Sequence, residues 1–393
     1  MLALRLARGS HPLVLMRRLL VAAASAGVGF LLLCTLGYTA AHPHSAGAVL
    51  RLLWCFVPLA ATVQFAVAVA RTDPSTRPRT GLSAVGLGPV KLSVLAAIST
   101  AVSCTLGSAV ALLFFLHLRG DLTGLPFDGA AADLLGADAS LPVAAVLLLL
   151  ALVPVAAATA SALALRGRAS GAARETDDGG DLVPAAEIPA PAAPPAGLPW
   201  GVALTAAGLA VEAYASRGTP GSPFPLPGKL DATPASVLVG WTLTAIGLAT
   251  AGPGLTHLCG KLLQTVRPGA VRLLAGRVLM DEARRIGRPL GIVCAVLSAV
   301  IAAFALYGTG PRPFGPLTAL GAVLVVGCTT ATLLTSALEA RQARAETARA
   351  LLRLGAPASA LRAATALRAG ALLVFFAPLT WAIAELAALP LTP

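Results

Sequence analysis

The chain has 393 residues, 57% of them hydrophobic and only 12% charged, with a mean hydropathy of +0.82. That is too little polar surface to cover a core of this size in water, so the composition excludes a soluble domain and defines a polytopic membrane protein. The net charge of +12 does not mark a nucleic-acid partner. All but five of the 29 Lys and Arg fall on alternate segments between apolar runs, the signature of cytoplasmic loops.

A helix crosses the hydrocarbon core, about 30 Å thick, with about 20 apolar residues. Nine stretches reach that length: 19–40, 48–70, 93–117, 141–165, 198–215, 235–258, 289–309, 317–339 and 368–389. Nothing alternates as barrel strands do, so the class is all-α: a helical membrane bundle of about nine spans, arranged 4 + 2 + 3. Arg17 and Arg18 precede the first run, which is too long for a signal peptide and is followed by eight more spans. Leu33 before Cys34 is too large for a lipoprotein cleavage site. With the N-terminus cytoplasmic, the outer segments hold only Arg51, Arg119, Arg217, Lys229 and Arg312. The orientation expected is therefore N-in, multi-pass, in the cell membrane.

The six cysteines lie in or beside spans without paired spacing and read as small buried hydrophobes. His42 and His44 lack a third metal ligand, and Asp121, Asp128, Asp133 and Asp138 suit a solvated outer loop, so no metal is expected. Residues 169–197 are rich in Ala, Pro and acids and contain no aromatics. They define a disordered cytoplasmic linker, 166–197. It separates a first unit of four spans (1–165) from two connecting spans (198–258) and a last unit (259–393). The last unit has a basic amphipathic entry helix and three spans.

The two halves show an internal repeat. In "LSAVGLGPVKL" (82–92), Leu82, Val85, Gly86 and Leu92 match Leu351, Leu354, Gly355 and Leu361 of "LLRLGAPASAL" (351–361) at one constant offset. Pro89 and Pro357 follow the two glycines. The second of these segments is physically legible. Good helix formers run from Glu339 to Leu354, Gly355 can take the left-handed conformation that ends a helix, and Pro357 suits the first turn of the next. Two rigid helices meeting at a Gly-Ala-Pro corner form a lever on the cytoplasmic face. Leu351 and Leu354 are anchors for a partner's groove, with Arg349 and Arg353 to steer it.

"AETARALLRLGAPASALRAATALRAGAL" (345–372) resembles the signature of the FtsX/MacB-like ABC permeases, with Glu346, Leu351, Leu354, Gly355 and Ala356 at the matching positions. "RLLAGRVLMDEARRIGRPLGIVCAVL" (272–297) resembles that family's basic entry helix on the membrane surface. The layout is similar to the ten-span permeases of the Bce type. It departs from them in lacking their large outer domain, in having three spans in the second repeat, and in having fewer charges at the first elbow. The resemblance implies two FtsX-like repeats and a permease working as a homodimer or heterodimer among membrane lipids. It also implies a separate ABC ATPase that grips the elbow. On that basis Glu346, Arg349, Leu351, Arg353, Leu354, Gly355 and Ala356 form the docking elbow, with Leu82, Val85 and Gly86 as its first-repeat counterpart. ATP and Mg are expected on the ATPase, because this chain has no G-x-x-x-x-G-K-[ST] and needs no cofactor of its own.

Two intramembrane acids stand out, Glu212 and Glu385. Both lie near the outer ends of their spans, where solvation by interfacial water is expected. No Ser/His/Asp set or pair of inner carboxylates emerges, so no enzyme activity is expected. An ATP-independent secondary transporter or pore is the alternative, for which the spans offer Gln64 and the prolines Pro154, Pro253 and Pro378 as kinks. A degenerate structural membrane partner is the other.

Overall fold

The computed structural model describes residues 12–42, 48–73, 89–122, 129–135, 137, 140–177, 195–215, 235–265, 269–307 and 315–389, and among them there is no strand. In chain order the helices are α1 (Pro12–Ala41), α2 (Ala48–Trp54), α3 (Phe56–Thr72), α4 (Pro89–Arg119), α5 (Ala132–Leu135) and α6 (Val143–Asp177). They continue as α7 (Leu198–Ala215), α8 (Ala235–Thr265), α9 (Ala270–Tyr307), α10 (Pro316–Ala343), α11 (Ala345–Arg353) and α12 (Ala358–Ala388). Among the described residues, eight stretches of helix are long and apolar enough to cross a bilayer. The fifth expected span, 198–215, forms α7, which at 18 residues stands outside those eight. Leu106, Phe114, Leu148, Leu163 and Val374 all face outward. An apolar exterior of this extent is untenable against water and is what lipid requires. The chain is a multi-pass helical membrane protein.

Two compact units divide the chain. The first comprises Met1–Ala186 with Phe314–Cys328, the second Glu187–Pro313 with Thr329–Pro393. In the first, α1, α4 and α6 bury Leu33, Cys34, Phe115, Val146 and Leu150 against one another. Lipid leaves little hydrophobic drive between helices, so close packing and hydroxyl bonds must hold them. Ser25 donates to the Cys104 carbonyl at 2.9 Å, and Ser108 to the Leu150 carbonyl at 3.1 Å. An ion pair between Arg18 and Asp73 joins the start of α1 to the end of α3.

In the second unit α8 packs on α7 and α9, and α9 on α12. The core is built from Cys259, Leu279, Cys294 and Phe376, then Leu248, Ala295 and Ile383. Glycine sets how near α8 and α9 come, because a Cβ on Gly252 would run into the Gly287 carbonyl oxygen.

Two expectations change. The residues expected to form a separate entry helix and those of the following span form one 38-residue helix that runs through Pro289. Pro289 removes one backbone donor. The small residues beside it, Gly287 and Gly291, let α8 lie close enough to brace the rod. Helix α6 also continues to Asp177, well into the segment expected to be a linker, as the helix-forming Ala, Arg and Glu of "RGRASGAARETD" allow. Residues 178–194 of that segment lie outside the described residues.

Candidate functional site: an exposed elbow tied to one buried carboxylate

Helix α10 gives way to α11 at Arg344, and α11 ends in a fully bonded turn. The Gly355 N–H donates to the Leu352 carbonyl at 3.1 Å, and the Ala356 N–H to the Leu351 carbonyl at 3.0 Å. Those two bonds cap the last carbonyls of α11, and they need a left-handed residue between them. Gly355 supplies it with φ of 90°. Pro357 then stands in extended conformation as the N-cap of α12. Gly355→Ala is therefore expected to cost about 1–2 kcal/mol through the left-handed penalty alone. It should lower the melting temperature in detergent and speed proteolysis at the corner; unchanged cleavage would show that the turn does not hold it.

No residue of α11 is buried. Glu346 lies in its first turn and Arg353 in its last, each where the helix dipole favours its sign. Leu354 is 84% exposed and Leu352 is also exposed, while Leu351 is half-buried. Arg349, Arg353 and Gly355 are exposed and Ala356 is half-buried. The predicted elbow residues thus occupy one accessible corner, with Leu352 added to the apolar anchors. The counterpart set Leu82, Val85 and Gly86 lies outside the described residues.

Sequence reasoning missed the base of the corner. On α9 the buried stripe runs Ala275, Leu279, Glu282, Ala283. Glu282 is 7% exposed, a carboxylate where the periodicity wants an apolar residue. Arg344 Nε lies 2.5 Å from its Oε1, and Arg368 Nη1 lies 3.6 Å from its Oε2. Arg344 stands before α11 and Arg368 about three turns into α12, so both arms of the elbow close on one carboxylate. Between those ties α11 and the first turns of α12 each extend roughly 15 Å. The signal in the sequence was the single acid interrupting an otherwise small and apolar stripe on a basic helix.

The two intramembrane acids separate. Glu385 is exposed on α12. Glu212 is not solvated: it is 1% exposed, held between α7 and α8, which corrects the expectation. Gly208 and Gly240 bring those helices so close that the Glu212 Cγ lies over Gly240.

Comparison with protein-family models, with curated proteins and with solved structures finds no match to this chain.

Proposed function

We propose that this chain is the transmembrane permease subunit of an ABC transporter, worked from the cytoplasm by a separate ATPase that grips the α11–α12 elbow. The observation that carries the reading is a capped helical corner with Leu352 and Leu354 exposed beside Arg349 and Arg353, both arms closing on Glu282. Exposed leucines on a basic, rigid corner suit a partner's apolar groove with an acidic rim. The tie at Glu282 gives a push on the corner a route into α9, α10 and α12. The sequence supports the same division of labour, since nucleotide chemistry has no P-loop here and falls to the partner, with its ATP and Mg. The N-terminus lies in the cytoplasm, on the side of the basic segments, and two permeases pair in the cell membrane.

The experiment is co-purification of the full chain with the P-loop ATPase co-expressed from its genomic neighbourhood, read as bound ATPase per permease. Wild type should retain the ATPase. Leu354→Asp and Arg353→Glu should lose it while staying within about 0.5 kcal/mol of wild-type stability, because both side chains are exposed. Equal retention by both variants would remove the elbow as the docking site.

A further inference from the structure

Glu212 has an environment that neither solvation nor pairing explains. Its side chain is fully enclosed, and Oε1 accepts one hydrogen bond, from Thr244 Oγ1 at 3.3 Å. Oε2 is buried without a partner among the described residues. A Cβ on Gly240 would strike the Glu212 Cγ and approach the Gly208 carbonyl oxygen to 2.9 Å, so the stem of the side chain fills the space that the missing Cβ leaves between two backbones. Leu209, one turn away, packs among Ala302, Ala387 and Ala388, which makes that surrounding apolar.

No described cation reaches this seam. On α8 the ionisable groups beyond Thr244 are His257, Cys259 and Lys261, more than three turns further along. On α9 the charges end at Arg288, about four turns before Ala302. On α12, Glu385 is exposed and Arg368 lies at the opposite end of the helix. An isolated carboxylate in such surroundings costs several kcal/mol, which one neutral hydroxyl does not offset. A metal cation would need about six oxygen ligands, and the seam offers one carboxyl and one hydroxyl. The occupant that fits is a proton.

We propose that Glu212 is a proton-binding carboxyl in the α7–α8 seam. Loss of the proton would place a charge in the seam and draw water between α7 and α8, so proton occupancy and helix separation are linked. The inference is independent of the permease reading, because it concerns α7 and α8 and needs no ATPase.

The test uses the full chain in lipid vesicles, read by infrared spectroscopy in the C=O stretching region of protonated carboxyls. At neutral pH the wild type should show a band there, which Glu212→Gln should lose and Glu385→Gln should keep. Thr244→Val, which removes the hydroxyl donor and keeps the acid, should retain the band at a higher frequency, a shift that a merely structural change would not give. Raising the pH should diminish the band. An unchanged band in Glu212→Gln, or none in the wild type at neutral pH, would overturn the proposal.

Discussion

Glu282→Ala is expected to lower the stability of the detergent-solubilised chain by about 3 kcal/mol, the loss seen when one member of a buried ion pair is removed and its partners stay behind. The side chains of Glu282 and Arg368 are 9% and 12% exposed, so Arg368 would be stranded in a nearly dry site. Arg344 is 31% exposed and can turn to solvent. Arg344→Ala should therefore cost less, about 1 kcal/mol. The double variant Glu282→Ala/Arg368→Ala should be more stable than the sum of its parts, because no charge is left unpaired. A second readout is hydrogen exchange over 345–367, which should quicken in Glu282→Ala as both arms lose their common tie. Strict additivity in the double variant would show that the two arginines do not share this carboxylate.

Much of the architecture was readable from composition and periodicity. Membrane-length apolar runs need no tertiary information, and helices built on them follow from the cost of unpaired backbone in lipid. The corner at Gly355 was also legible, because a glycine between good helix formers and a proline leaves few backbone choices. What failed to show was pairing between distant segments. Glu282, Arg344 and Arg368 are each ordinary in their local sequence. Only the packing of three helices makes them a triad, and a stripe analysis registers Glu282 as noise. Glu212 misled for a related reason. Its place near the end of an apolar run suggests water, yet Gly208 and Gly240 close the seam over it, and the depth of a residue in a run does not report the face it occupies. The continuity of α9 through Pro289 was hidden likewise, since a proline in a basic-to-apolar transition reads as a boundary until the supporting helix is known.

Gly287→Ala should destabilise the second unit by about 3 kcal/mol, the upper part of the range for overpacking, although alanine is the better helix former. The added methyl would lie 2.5 Å from Pro253 Cα, 2.7 Å from Pro253 N and 2.8 Å from the Gly252 carbonyl oxygen. All three are backbone atoms, so no rotamer change relieves the contact, and α8 and α9 must separate along the rod that also carries Glu282. The comparison that isolates this effect is Gly370→Ala on α12, where a Cβ meets nothing within 4 Å. There the same chemical change should be neutral or raise stability by about 0.5–1 kcal/mol, since it only removes backbone freedom from the unfolded chain. Opposite shifts in melting temperature for one substitution type would separate close approach from helix propensity. If both variants shifted alike, the α8–α9 crossing would be wider than Gly252 and Gly287 imply, and α9 would lack the support that keeps it straight through Pro289.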